Sequence, residues 1–181
     1  GWLINYCGAE NTYFNRTVGK LWMISAVARA LQPGCKADCA LVLEGKQGAG
    51  KSTAALIDYL LDRAVEQNLK LKIGDKELEN AENACRDRKH CEAIELHVFN
   101  KASREPAIQQ ADLVISMLPA RFHIEVARDC VKFNKHMVTA SYISDEMRAL
   151  DEEVKKKNLV FMNEIGVDPG IDHMSAMQVI D

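Results

Sequence analysis

No apolar run in this 181-residue chain approaches the roughly 18 residues that a bilayer-crossing helix needs. Residues 1–8 lack a basic segment followed by a long apolar one, so the sequence predicts neither leader nor anchor and a cytoplasmic location. Charge of one sign is also lacking. Lys and Arg number 23 against 26 Asp and Glu, a net of −3, which gives no reason to expect nucleic acid as a partner. A C-x-x-C pair is absent among the six cysteines Cys7, Cys35, Cys39, Cys85, Cys91 and Cys130. Their spacing, even with His90 and His97 added, matches no common zinc pattern, so no metal is expected and the thiols read as reduced. Repeats, low-complexity tracts and linker-like composition are missing as well, and the length suits one core.

What is present is an alternation. Leu21, Ile24, Ala28 and Leu31 recur at helical spacing, and Pro33 and Gly34 end that segment. Short apolar runs follow at residues 40–43, 69–73, 93–99, 113–118, 137–140 and 159–162, separated by helical stretches. Six strands alternating with helices predict an α/β fold with a parallel sheet covered on both faces. One helix is expected to start at a Ser144 cap and run to Lys155–Lys157, with Asp145 and Glu146 in its first turn; those charges suit the helix dipole at both ends. Residues 1–50 carry a net charge of +2 and the remainder −5, a mild asymmetry that falls where the motifs change.

The segment Gly45-Lys46-Gln47-Gly48-Ala49-Gly50-Lys51-Ser52 satisfies G-x-x-x-x-G-K-[ST] between a strand and a helix. Backbone N–H groups in such a loop wrap a phosphate, Lys51 reaches the β and γ oxygens, and Ser52 holds Mg²⁺. The bland alternative is a glycine turn without a ligand. Residues 6–53, reading YCGAENTYFNRTVGKLWMISAVARALQPGCKADCALVLEGKQGAGKST, resemble the start of the ATPase domain of the virulence-associated E family of phage and mobile-element proteins. That resemblance implies a P-loop NTPase fragment binding Mg-ATP. Beyond Thr53 the partners of hydrolysis are not found: residues 71–75 are the nearest Walker B candidate, and Lys72 and Gly74 interrupt it.

The same loop holds Gly48-Ala49-Gly50, the first two glycines of a dinucleotide fingerprint. Asp75 lies 25 residues past Gly50, at the end of the second strand, where a carboxylate can bond ribose hydroxyls or simply close a solvated turn. Downstream, ADLVISMLPARFHIEVARDC, KHMVTASYISDEM and FMNEIGVDPGIDHMSAMQVID resemble the saccharopine dehydrogenase family, in particular its glutamate-forming reductases, over residues 52–181. The resemblance implies a Rossmann-like doubly wound sheet binding NAD or NADP. It sets Gly48 and Gly50 by the pyrophosphate, Asp75 by the adenosine ribose, and Met117, Leu118 and Pro119 along the cofactor cleft; Lys51, next to Ser52 in the phosphate-type loop, adds charge near a phosphate. Thr139, Ala140 and Ser141 would border the nicotinamide, and Asp168, Pro169, Gly170, Asp172 and His173 would lead to the substrate. No catalytic residue is singled out. His173 follows a turn and is a candidate proton donor, but a helix-capping or packing role is the commoner one for such a histidine, and Met174 and Met177 read as one face of a short helix.

The chain thus reads as a composite, with an N-terminal helical extension over residues 1–39 and a Rossmann-like domain over 40–181. Glu44, Gly45, Lys46 and Gln47 lengthen the loop before Gly48 relative to the reductases, which is expected to loosen the pyrophosphate site. The reductases continue past the DPGIDH segment into a second domain. Without it water is not excluded from a hydride-transfer site, so little or no turnover of saccharopine is expected. The partners expected are therefore a nucleotide cofactor, with a small amino-acid substrate doubtful, and no membrane. A folded remnant dimerising through bare surface is a further option.

Overall fold

The computed structural model describes residues 39–43, 51–166 and 168–180. Nearly all of the expected helical extension, and the glycine loop through Gly50, lie outside the described residues.

Six strands form one parallel sheet: β1 (Cys39–Leu43), β2 (Lys70–Asp75), β3 (Cys91–Glu95), β4 (Leu113–Ser116), β5 (His136–Thr139) and β6 (Phe161–Met162). Their order across the sheet is β3-β2-β1-β4-β5-β6. Every neighbouring pair runs parallel, with Val42 opposite Ile73 on one side and Ile115 on the other. All six carboxyl ends therefore share one edge. The order reverses between β1 and β4, which opens a crevice at that edge.

The helices between strands are α1 (Lys51–Asp62), α2 (Leu78–Cys85), α3 (Lys101–Gln110), α4 (His123–Phe133), α5 (Asp145–Arg148) and α6 (Asp151–Lys156), and α7 (Ile171–Ile180) follows β6. Alternation along β1 assigns its residues to two layers. Val42 packs with Leu56, Ile57 and Leu60 of α1 and with Ile73, whereas Leu41 and Leu43 pack with Ile108 of α3, Val126 of α4 and Met137. Burial on both faces explains why these strands read as unbroken apolar runs.

Two expectations need correction. The segment from Ser144 is not one helix. The Ser144 hydroxyl does cap it, accepting from the Met147 N–H at 3.2 Å, but α5 stops at Arg148 and α6 starts at Asp151. There Met147 and Val154 are buried and the polar residues around them are exposed, so packing of two short apolar contacts prevails over continuous helical periodicity. Nor are all cysteines reduced: Cys85 and Cys91 form a disulfide. Arg86 and Asp87 take left-handed backbone conformations, with φ of 48° and 54°. They reverse the chain tightly and bring the end of α2 within a Cα separation of 5.4 Å of the start of β3. Cys130 is a buried free thiol whose pKa burial pushes up, beyond the reach of physiological pH.

Candidate functional site

The carboxyl edge of the sheet collects most of the residues that the sequence singles out. At its β2 end, Asp75 is buried at 4% exposure. Its Oδ1 accepts from the Glu77 N–H at 2.8 Å and from Asn80 Nδ2 at 3.1 Å. The carboxylate therefore closes the strand-ending turn, and it does so buried rather than solvated. Lys51 and Ser52 open α1, directly after the glycine loop.

At the crevice, the Met117 N–H donates to the Leu43 carbonyl at 2.9 Å, which ties the exit of β4 to the exit of β1. Met117 packs on the α1 layer and Leu118 on the α4 layer, so the two residues splay across the sheet edge. Pro119 then caps a turn of 3-10 helix, Ala120–Phe122, that leads into α4.

Four polar side chains converge just beyond the exits of β4 and β5. His123, the first residue of α4, is 3% exposed. Its Nδ1 lies 2.8 Å from the Ser116 hydroxyl, and its Nε2 lies 2.8 Å from the Ser141 hydroxyl and 3.1 Å from that of Thr139. The Ser141 N–H also donates to Thr139 Oγ1 at 3.4 Å. Burial depresses the imidazole pKa to about 4, because charging a group removed from water is costly. The ring is therefore neutral at pH 7. Such a histidine is a poor general base, so its contact with Ser141 does not make a serine nucleophile. The sequence reading missed His123. The available signal was its position four residues after Pro119, which places it at the ligand edge, together with Ser116 seven residues earlier at a strand terminus.

The predicted substrate residues form a more exposed cluster beyond β6. The Tyr142 hydroxyl donates to Asp168 Oδ1 at 2.6 Å, and this bond to a carboxylate raises the tyrosine pKa. Asp168-Pro169 is a cis peptide. Gly170, at φ +145°, approaches Gly166 so closely that an added Cβ would sit 2.4 Å from the Gly166 carbonyl oxygen. Asp172 Oδ1 accepts from the Gly170 N–H at 2.8 Å and lies 3.1 Å from His173 Nδ1. His173 is exposed, so it is not the packing residue that general expectation favours; Met174 and Met177 do share a helix, and both are exposed on it. The cluster abuts the His123 network through the backbone, the Glu164 N–H donating to the Ser141 carbonyl at 3.1 Å, and the loop's own backbone accounts for Gly170 and part of Asp172.

An open parallel sheet with this strand order, two covering layers and polar groups gathered at its carboxyl edge defines a Rossmann-like α/β domain. By the family model that matches residues 1–151, the chain belongs to the virulence-associated protein E-like domain family. It also carries clear saccharopine dehydrogenase homology. It is 36% identical over 134 residues to saccharopine dehydrogenase [NADP(+), L-glutamate-forming] of Pyricularia oryzae, a match covering 74% of this chain and 29% of that protein. It is 44% identical over 90 residues to alpha-aminoadipic semialdehyde synthase of Arabidopsis thaliana, covering 50% of this chain and 8% of that one. The solved apo saccharopine dehydrogenase (L-Glu forming) of Saccharomyces cerevisiae superposes with a TM-score of 0.70 at 32% identity, covering 80% of this chain and 31% of that structure. The chain thus spans less than a third of these relatives' length. Among the described residues, no helix is long and apolar enough to cross a membrane.

Proposed function

We propose that this chain is the NAD(P)-binding part of a saccharopine-dehydrogenase-like oxidoreductase of lysine metabolism, joined behind a virulence-associated E-type segment and with little or no turnover by itself. The observation that carries this reading is the 36% identity over 134 residues, combined with a carboxyl edge whose chemistry suits a dinucleotide. Gly48, Gly50, Lys51 and Ser52 hold the pyrophosphate. Asp75 meets the adenosine ribose. Met117, Leu118 and Pro119 supply an apolar wall, and Thr139, Ala140 and Ser141 border the amide-bearing ring. Apolar wall, hydroxyls and buried carboxylate fit a flat heteroaromatic ring, its amide and two riboses. A nicotinamide held there supplies hydride exchange with an imine carbon, and the chain's own part is to orient it and limit water around it. Asp168, Pro169, Gly170, Asp172 and His173 belong to the substrate side. Asp75 favours NAD over NADP, since a carboxylate repels a 2′-phosphate, although the name of the Pyricularia oryzae relative specifies NADP(+).

A second reading has one specific support, the complete G-x-x-x-x-G-K-S stretch within the matched 1–151 region. On it, Lys51 and Ser52 bind Mg-ATP, and the protein is a P-loop NTPase fragment. Parallel calorimetric titrations with NADH, NADPH and Mg-ATP separate the two. We expect a dinucleotide to bind at least about tenfold, or 1.4 kcal/mol, more tightly than Mg-ATP, with Asp75→Ala more damaging than Lys51→Ala. Magnesium-dependent ATP binding abolished by Lys51→Ala would replace the oxidoreductase reading with the NTPase one.

A further inference from the structure

The His123 network has a direction that the assignments above do not use. Of the three hydroxyls around the imidazole, Ser116 is fully buried and Thr139 is 2% exposed, whereas Ser141 is only half-buried. The hydrogen-bonded path therefore starts in the dry core at the end of β4 and emerges at Ser141, beside the exit of β5. Each group on it belongs to a different piece of the edge: Ser116 to β4, His123 to α4, Thr139 to β5 and Ser141 to the following loop.

A neutral imidazole has one N–H and one lone pair, on opposite nitrogens. Whichever nitrogen carries the proton, Ser116 on the Nδ1 side and the Thr139–Ser141 pair on the Nε2 side are given opposite roles. If Nε2 is protonated it donates toward Ser141, whose own O–H is then released to donate outward. If Nδ1 is protonated, the single Nε2 lone pair accepts from the nearer hydroxyl, that of Ser141 at 2.8 Å, and Ser141 presents lone pairs outward. The ring thus fixes what the half-exposed hydroxyl offers to a ligand, and it is rigidly held, being packed at the start of a helix with a partner on both nitrogens.

Resting on the dinucleotide reading, we propose that His123 is a positioning residue for the nicotinamide half of the cofactor: by clamping Ser141 and Thr139 through Nε2 and Ser116 through Nδ1, it sets the donor or acceptor role that Ser141 presents to the carboxamide or the adjoining ribose. His123 itself does not touch the ligand. The ion pairs on α3 and α4 join Arg104 to Glu125 and Asp129, Arg128 to Glu125 and Lys132 to Glu105, and none of these side chains is bonded to this network among the described residues.

Calorimetric binding of NADH is compared with that of ADP-ribose, which keeps the adenosine and pyrophosphate but lacks the nicotinamide. His123→Ala is expected to weaken NADH by about tenfold, the worth of one or two net hydrogen bonds, and to leave ADP-ribose within about twofold on the same scale. His123→Gln, whose amide reaches the Nε2 position, restores most of the affinity, and His123→Asn, which reaches only Nδ1, does not. Ser141→Ala, a half-exposed change that does not threaten folding, reproduces the selective loss, and combining it with His123→Ala adds nothing further. Equal losses for NADH and ADP-ribose, or none for either, overturn the proposal while leaving the dinucleotide reading intact. If the unmodified protein binds neither ligand, the dinucleotide reading falls and this inference with it.

Discussion

Helix α4 carries two buried polar networks of opposite character. Its first residue, His123, gathers three neutral hydroxyls; two turns on, Asp129 meets Arg104 of α3. Arg104 is 1% exposed, its Nε lies 2.6 Å from Asp129 Oδ2 and its second terminal nitrogen 3.6 Å from Glu125 Oε2, and it also donates to the Val98 carbonyl. The charged network runs from the buried Arg104–Asp129 pair through Glu125 to the exposed Arg128 on the outer side of α4, whereas the neutral one opens at Ser141, at the carboxyl edge of the sheet. Buried charges that pair across two packed helices, away from the carboxyl edge, serve the fold; a group whose bonds lead to a half-exposed hydroxyl at that edge is placed to serve a ligand. The comparison can be broken by removing either centre.

The largest effect is expected at the charged network. Arg104→Ala strands the Asp129 carboxylate without its cation in a nearly dry setting, and the loss should be about 3–5 kcal/mol, read by denaturant unfolding. The double change Arg104→Met with Asp129→Leu should recover most of it, because the cost lies in the uncompensated charge. Dinucleotide affinity of the folded fraction should not move. A selective loss of NADH over ADP-ribose in the double variant would show that the charged network also reaches the site.

The neutral network should reveal itself through pH. His123 has a folded pKa of about 4 against roughly 6.5 in the unfolded chain. Between those values the unfolded state binds the extra proton, so stability contributed by the neutral ring is present above pH 6.5 and is lost as pH falls through the window toward 4. The full loss is on the order of 3 kcal/mol. Other groups titrate there too, so the measurement is the difference between unfolding curves of the unmodified protein and His123→Gln at several pH values. That difference should shrink as pH falls below 6.5, and a pH-independent difference would contradict a buried neutral ring.

The sheet was legible because its physics is local to each strand: residues 40–43 and 113–115 are apolar without interruption, as strands covered on both faces must be. The edge followed from parallel topology, so Asp75, Met117–Pro119 and Thr139–Ser141 fall at one end as expected, while Gly48 and Gly50 lie outside the described residues. What escaped was tertiary. The Cys85–Cys91 disulfide depends on two left-handed residues, Arg86 and Asp87, with no glycine to announce the turn. The interruption between α5 and α6 depends on where Met147 and Val154 find cover. His123 was overlooked because its partners come from three elements, and its meaning lies in the exposure gradient from Ser116 to Ser141, which no spacing encodes.

The smallest expected effect probes the dry end of that gradient. Ser116→Ala removes the partner of Nδ1 and should cost about 1 kcal/mol of stability, a typical net hydrogen bond. Its consequence for binding is more informative than its size. Without Ser116, a proton on Nδ1 would have no acceptor from that side chain, so the ring is driven to carry it on Nε2, where Thr139 and Ser141 can accept. The Ser141 hydroxyl is then locked as an outward donor. If that is already its role, NADH affinity should stay within about twofold and the imidazole nitrogen resonances should keep their assignment to one tautomer. A loss matching His123→Ala would instead mean that the unmodified ring is protonated on Nδ1, so that Ser141 offers a lone pair and the ligand atom it meets is a donor. Either result assigns the hydrogen on Ser141 by chemistry, using a residue buried one bond beyond the imidazole.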